Sequence, residues 1–223
     1  MPQKKHAPPF LDEADQESAV ADSYNIAAGI ALPVFEEIKL SNTVLNLDSV
    51  RGYIDKARRI SVKDCVCRTK RKVCDHPLET CLQLNDAAEL QISRGKAREI
   101  TKEQAIKVVK RAHETGLVPM AYTRTDTPKP EGVNYICNCC SCACSVWGAT
   151  LKVGKNTHLV KSIATTLTDP QACTACGACV PRCQFGARKI VDGKLEFNKD
   201  ICFGCGLCVD TCPTKAIRFI PLH

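Results

Sequence analysis

Apolar positions repeat with a helical period in two stretches of the chain. Between Asp48 and Arg59, the residues Val50, Tyr53, Ile54 and Ala57 fall at the i, i+3, i+4, i+7 spacing of one buried face, and Asp48 offers a cap. The second stretch is bounded at both ends. Thr101 and Gln104 make a capping-box pair, Ile106, Val109 and Ala112 share a face, and Gly116 supplies a left-handed residue after the last turn. This predicts a helix over residues 102–115. Ser18 to Lys39 reads as helical with breaks near Gly29 and Pro33, behind a leading segment with Pro8, Pro9 and the acidic run Asp12 to Glu17. Thr123 to Glu131, with Pro128 and Pro130, reads as a connector.

The pattern changes toward the C-terminus. Ile190-Val-Asp-Gly-Lys-Leu195 reads as a hairpin, because Asp-Gly suits a type I′ turn, and Ala216 to Ile220 reads as a closing strand. The same region is duplicated. Cys173, Cys176, Cys179 and Cys183 recur 29 residues later as Cys202, Cys205, Cys208 and Cys212, and Asp169 and Asp200 precede the two runs. Each half holds a cysteine loop, a short helix and a strand, which implies a pseudo-twofold unit.

Composition sharpens the picture. The chain has 223 residues, of which 17 are cysteine. No apolar run approaches the roughly 20 residues of a membrane span, the longest being Ile26 to Phe35. Met1-Pro-Gln-Lys-Lys-His lacks the apolar segment of a secretory signal, so a cytoplasmic location is expected. Disulfides are rare in reducing cytosol, and dense cysteine there points to metal.

The formal charge of +7 treats every thiol as neutral. An oxidised four-iron cluster with its four thiolates carries about −2, so two clusters leave about +3 and four leave about −1. The basic balance therefore does not argue for a polyanion, and no nucleic-acid partner is expected.

Each C-terminal run is spaced C-x2-C-x2-C-x3-C, so that a turning loop presents successive sulfurs to one small object. Zinc usually takes two separated C-x2-C pairs, so iron–sulfur is expected over zinc here. Residues 166–221 resemble the bacterial two-cluster ferredoxin family. Cys202-Phe-Gly-Cys-Gly-Leu-Cys-Val-Asp-Thr-Cys212-Pro213 follows that family closely, while Cys183 is followed by Gln184 where the family usually has proline. The resemblance implies two [4Fe-4S] clusters with ligands crossing between runs: Cys173, Cys176, Cys179 and Cys212 for one, and Cys202, Cys205, Cys208 and Cys183 for the other. Gly177, Gly204 and Gly206 would let the backbone approach each cluster.

Nine cysteines lie upstream: Cys65, Cys67, Cys74, Cys81, Cys137, Cys139, Cys140, Cys142 and Cys144. They suffice for one or two further iron–sulfur clusters with one thiol over, and zinc is the lesser alternative. Adjacent residues of an extended chain point opposite ways, which lets Cys139 and Cys140 serve different clusters; x2 spacing equally permits Cys137 with Cys140 and Cys139 with Cys142, so the ligand sets stay open. His76 is either an unusual ligand or, as the spacing more often means, a local hydrogen-bonder. Arg68, Lys70, Arg71 and Lys72 read as a solvated loop or as a docking patch for an acidic partner. Trp147, Phe185, Phe203 and Phe219 serve either as core filler or as shields that keep water from the clusters.

The upstream region looks like the amino-terminal part of larger iron–sulfur proteins of anaerobic microbes. That resemblance rests on Cys65-Val-Cys67-Arg68, on Cys74-Asp-His-Pro-Leu-Glu-Thr-Cys81 and on Cys137-Asn-Cys-Cys. Those relatives often carry cysteine at the place of Ala143, and the resemblance supports metal binding without naming a reaction.

The fold expected is α+β: a ferredoxin-like two-cluster domain at the C-terminus preceded by a mainly helical cysteine-rich domain. The divisions are an N-terminal segment 1–44, a cysteine-rich domain 45–160 and a dicluster domain 161–223. The function expected is electron transfer through several [4Fe-4S] clusters to or from partner redox proteins, as a carrier or as a subunit of an anaerobic oxidoreductase. No dinucleotide or phosphate loop is present, so the substrate would be a protein. The alternatives are an enzyme whose upstream cluster binds a small molecule, motivated by the spare thiol and His76, and a regulatory or nucleic-acid-binding protein with structural clusters.

Overall fold

The computed structural model describes residues 43–124, 132–145, 161–162 and 164–221. The readings at 1–42, most of the connector 123–131, and Trp147 lie outside the described residues.

The helix foreseen near Asp48 runs from Leu47 to Lys56 (α1). Its cap is Asn46, whose side chain accepts from the Ser49 N–H at 2.8 Å, while Asp48 sits in the first turn where it favours the helix dipole. It stops short of Arg59 because Ile60–Asp64 begins a strand (β2). The second helix, Lys102–Glu114 (α4), carries both halves of the Thr101–Gln104 capping box, and Gly116 follows at φ +91°. Between them come Val66–Arg71 (α2) and Asp86–Ser93 (α3).

The upstream region is not mainly helical. Its centre is a six-stranded antiparallel sheet of Thr43–Val44 (β1), β2, Glu79–Leu84 (β3), Arg98–Glu99 (β4), Val118–Tyr122 (β5) and Tyr135–Cys139 (β6). The order across it is β1-β5-β6-β3-β2-β4. Two of these strands, β3 and β6, run through the cysteine motifs themselves, where metal spacing masks the period-2 signal.

Register assigns the two faces. Leu82 pairs with Ile136 and Val62 with Leu82, so these point one way; Gln83 pairs with Tyr135, Lys63 with Cys81 and Met120 with Cys137, so these point the other. On the first face, Ile60, Val62, Leu82, Leu84, Ala121 and Ile136 join Val50 and Ile54 of α1 and Ala105 and Val109 of α4 in one apolar core. Each valine, leucine or isoleucine among them contributes roughly 1.5–3 kcal/mol when fully buried. The second face carries Cys81, Cys137 and Cys139 and is covered by the C-terminal domain, which contributes Phe203, Cys205 and Leu207 to the same core as Val118, Met120 and Tyr135.

The C-terminal domain repeats its own geometry. Ala164–Thr168 (β7) pairs with Ile217–Pro221 (β10), and Arg188–Val191 (β8) with Lys194–Phe197 (β9). The turn between β8 and β9 has Asp192 at φ +47° and Gly193 at +73°, as a type I′ hairpin requires. Cys179–Arg182 (α5) and Leu207–Thr211 (α6) are one-turn helices behind the two runs. Hydrogen bonds recur at the sequence offset: Asp169 N–H to the Ala216 carbonyl and Asn198 N–H to the Ala187 carbonyl are both 2.8 Å. Among the described residues no helix is long and apolar enough to cross a membrane.

Candidate iron–sulfur and metal centres

In the C-terminal domain, Cys183 shares a small cavity with Cys202, Cys205 and Cys208, as crossing between runs requires. In the other half, Cys179 packs in one apolar cluster with Cys212, and its thiol feels the charges of Cys173 and Cys176. Cys208 belongs to that apolar cluster too, so the eight sulfurs lie close together around the two runs.

The backbone of the second run packs tightly against the rest of the chain. Gly204 stands at φ +69°, and a Cβ there would lie 1.8 Å from the Ala164 carbonyl oxygen. At Gly206, φ is +86°, and a Cβ would lie 2.3 Å from the Phe219 ring. Only glycine satisfies both demands.

Donors are already aimed at sulfur. The Ala187 N–H donates to Cys183 Sγ at 3.2 Å, and the repeat-related Ala216 N–H does so to Cys212. Burial pushes the Cys205 and Cys208 thiols up, with repulsion from Cys183 and Cys202 adding to it, while Arg188 pulls Cys208 the other way. Arg188 is itself buried, donating to Thr166 and Thr168 at 2.8 Å with its guanidinium over Phe197. No sequence pattern marked it; a lone arginine at a strand start reads as solvated.

Gln184, the departure from the family's proline, faces the upstream domain. Its Oε1 accepts from the Ser141 N–H at 3.1 Å and hydroxyl at 2.7 Å, and its Nε2 donates to the Gly116 carbonyl at 2.8 Å. Beside it, Arg182 donates to the carbonyls of His113 (2.8 Å) and Glu114 (3.0 Å). Asp210 meets the buried His113 ring at 2.7 Å.

The nine upstream cysteines fall into two groups. Cys65, Cys67, Cys81, Cys137, Cys139 and Cys144 line one cavity of about 300 Å³. Cys81 and Cys137 sulfurs are 3.8 Å apart, Cys67 Sγ is 3.6 Å from Ser145 Oγ, and Gln83 Nε2 donates to Cys81 Sγ at 3.3 Å. Hydrogen bonds from Cys144 and Cys65 hold the Cys67 thiol down, and those from Cys139 and Cys81 do so for Cys137. Lys63, Arg68, Lys70 and Arg124 line the same cavity, an electropositive wall around six sulfurs that suits an anionic cluster.

The remaining three thiols gather elsewhere with His76. The donor atoms of Cys74, His76, Cys140 and Cys142 all lie within 4.8 Å of one another, with Cys74 and Cys140 sulfurs 4.0 Å apart. Cys139 and Cys140 thus serve different groups, whereas the x2 pairs Cys137/Cys140 and Cys139/Cys142 do not form. A hydrogen bond from Cys142, helped by the Ala143 N–H and by Arg68, holds Cys140 down to about 5.

Arg68 is not part of a solvated patch. It is 2% exposed and donates to the carbonyls of Pro77 (3.1 Å) and Asn138 (2.9 Å) and to the Thr80 hydroxyl. Burial opposes its charge, but the sulfurs of Cys65, Cys140 and Cys139 hold it above the ordinary range, so one guanidinium faces both groups. Lys70 and Lys72 are exposed. Phe185 stacks on Phe203 of the same domain, centroids 4.5 Å apart, in the core shared with the upstream sheet.

No curated protein matches the chain. Residues 172–217 match the family model of the 4Fe-4S dicluster domain, the stretch that holds both cysteine runs. The C-terminal part of this chain is therefore a ferredoxin-type, iron–sulfur-binding domain, with the electron-transfer role that such a domain supports.

Proposed function

We propose that the chain relays electrons between a partner redox protein and a third iron–sulfur centre held by the six-cysteine cavity of its upstream domain. When bound, each cluster supplies a one-electron redox centre that needs no proton partner. Cys173, Cys176, Cys179 and Cys212 would hold one cluster and Cys183, Cys202, Cys205 and Cys208 the second. Cys65, Cys67, Cys81, Cys137, Cys139 and Cys144 offer more thiols than a cubane needs.

The observation that carries the reading is packing. Cys205 lies in the same apolar core as Cys81, Cys139 and Cys144, with Phe203 and Leu207 beside it. Thiols of the dicluster domain and thiols of the cavity therefore share one water-poor wall. The opposite end is open: Cys176 is exposed and Cys173 half-buried, which suits a docking protein. Buried apolar packing keeps the local dielectric low, and the cations lining the cavity favour the reduced, more negative state.

Anaerobic iron and acid-labile sulfide counts test this. About eight irons per chain confine clusters to the C-terminal domain and refute the relay; about twelve or more support it. Electron paramagnetic resonance during stepwise reduction should show magnetic coupling between a C-terminal centre and a third one, and that coupling should vanish in Cys67→Ser/Cys81→Ser/Cys137→Ser/Cys139→Ser, which leaves only two thiols in the cavity.

A second reading is favoured by the cavity itself, about 300 Å³ in volume: where only three of its six thiols ligate a cubane, the fourth iron keeps an exchangeable position for a small-molecule substrate. A reduced-state spectrum altered by a small ligand supports it; an unaltered one returns the cavity to the relay.

A further inference from the structure

Outside the cavity and the ferredoxin-type runs, the group Cys74, His76, Cys140 and Cys142 has no part in the reading above. We propose that these four side chains form a mononuclear, four-coordinate zinc site that clamps the cysteine block to the loop after α2. The site stands independently of the relay.

The first argument is spacing. Tetrahedral zinc with Zn–S near 2.3 Å and Zn–N near 2.0–2.1 Å places its ligand atoms roughly 3.5–3.8 Å apart. The four donors here already lie within 4.8 Å of each other, and the Cys74–Cys140 pair is at 4.0 Å. Closing onto one ion needs only small rotamer shifts. A cubane would hold its cysteine sulfurs apart by roughly 6 Å, across a four-iron core.

The chain contains its own control. Among the described residues no other set of three or more His, Cys, Asp or Glu donors is this close. That includes the eight C-terminal cysteines, whose loops match a cluster-binding family. Cys81 and Cys137 of the cavity approach to 3.8 Å, but as a pair; here four donors converge on one point.

The donor set itself is the second argument. Three thiols and one imidazole make one of the usual closed sets for structural zinc, with no position left for substrate. The ligands come as two short hooks, Cys74-x-His76 and Cys140-x-Cys142, from loops far apart in sequence. Their backbones support the sulfurs: the His76 N–H donates to Cys74 and the Ala143 N–H to Cys140. Three thiolates on Zn²⁺ leave one negative charge, and buried Arg68 lies beside Cys140 to balance it. Ala143, fully buried against Ala112 and Leu117, fills the space between the hooks and the end of α4.

The consequence is mechanical. Ser141, between the two Cys140–Cys142 ligands, is where Gln184 of the dicluster domain docks. Zinc would fix the seat on which the C-terminal domain rests, without exchanging electrons with it.

The test uses the full chain purified anaerobically. Elemental analysis should find about one zinc per chain besides iron, and zinc K-edge absorption fine structure should fit three sulfurs near 2.3 Å and one nitrogen near 2.0 Å. His76→Ala and Cys74→Ser should lower zinc about tenfold while leaving iron and sulfide unchanged. Cobalt-substituted protein should show the visible bands of tetrahedral thiolate coordination. Those bands should shift in His76→Cys, which keeps four ligands and guards against a variant that fails to fold. Zinc below about one-tenth per chain in the wild type, zinc coordinated by four sulfurs, or iron lost in step with His76→Ala overturns the proposal. The relay fails on iron count, this site on zinc, so the two are separable.

Discussion

Replacing Gln184 by proline gives the first cysteine run the residue usual in two-cluster ferredoxins, and it should loosen the domain contact while sparing the clusters. The substitution deletes three hydrogen bonds: two accepted from Ser141 at 3.1 and 2.7 Å, and one donated to the Gly116 carbonyl at 2.8 Å. Each contributes about 1 kcal/mol net. Because the pair is only partly buried, water can re-solvate part of what is exposed, so the expected loss is about 2–3 kcal/mol. That corresponds to a roughly 30- to 150-fold rise in the local opening equilibrium, at 1.4 kcal/mol per factor of ten. Proline itself should be tolerated, since Cys183 before it has φ −81° and ψ 95°, an extended conformation that a following proline accepts. The domain should stay docked through Arg182, Asp210 and the Phe203 packing. Native-state hydrogen exchange under anaerobic conditions reads the effect at the Ser141 amide, the donor to Gln184, and Gln184→Ala should match it. Unchanged protection across residues 140–144, or loss of C-terminal iron in the proline variant, would refute the reasoning.

Three further outcomes follow from particular side chains. Arg188→Met removes a buried cation beside Cys208 and Cys179, so C-terminal reduction potentials should become more negative, by tens of millivolts, in anaerobic voltammetry. His113 is held below its ordinary pKa by burial, against the opposing pull of Asp210, so its contribution to stability is present above about pH 6.5 and is lost as pH falls toward the folded-state value. Denaturant midpoints should decline on acidification below that point, and His113→Gln should flatten the decline. Gly204→Ala drives a Cβ into the Ala164 carbonyl at 1.8 Å and should cost about 3 kcal/mol or more, with iron lost from the second run. Gly177→Ala meets only Ile190 at 3.7 Å and should cost about 1–2 kcal/mol from its positive φ alone, with iron retained.

The duplicated runs were legible because their information is local. Seven or eight residues of loop set where three sulfurs go, and the repeat then copies the hydrogen bonds, as Asp169–Ala216 and Asn198–Ala187 show. Helix 102–114 was legible for the same reason, its cap and its stop both lying within the segment. The upstream sheet was not. All five residues of β5, Val118-Pro-Met-Ala-Tyr122, are buried, so no alternation betrays a strand, and β1 is two residues long. Arg68 shows the same limit in a single residue. It sits in a run of four charges that reads as solvent-facing, yet its partners Asn138 and Thr80 come from strands the sequence did not reveal. Gln184 was visible as an anomaly, but its partner Ser141 lies 43 positions away, so nothing local said what it was for.

The division of the nine upstream thiols follows from one strand end. Along β6 the side chains alternate, so Cys137 and Cys139 share the face that carries Cys81, while the chain leaves the sheet at Cys140 and turns. Cys140 and Cys142 then meet Cys74 and His76, which arrive from the loop after α2. Ligand spacing alone would have paired Cys137 with Cys140; pleat and turn override it. Arg68 closes the arrangement from between the groups, tied to Asn138 of β6 by its guanidinium and to α2 by its backbone. A cation fixed to both elements keeps two sets of thiolates from repelling each other while holding the strand against the loop. Sorting of the thiols is thus a property of the sheet: moving β6 by one residue would send Cys137 and Cys139 to the helix-covered face and leave the cavity without two of its six sulfurs.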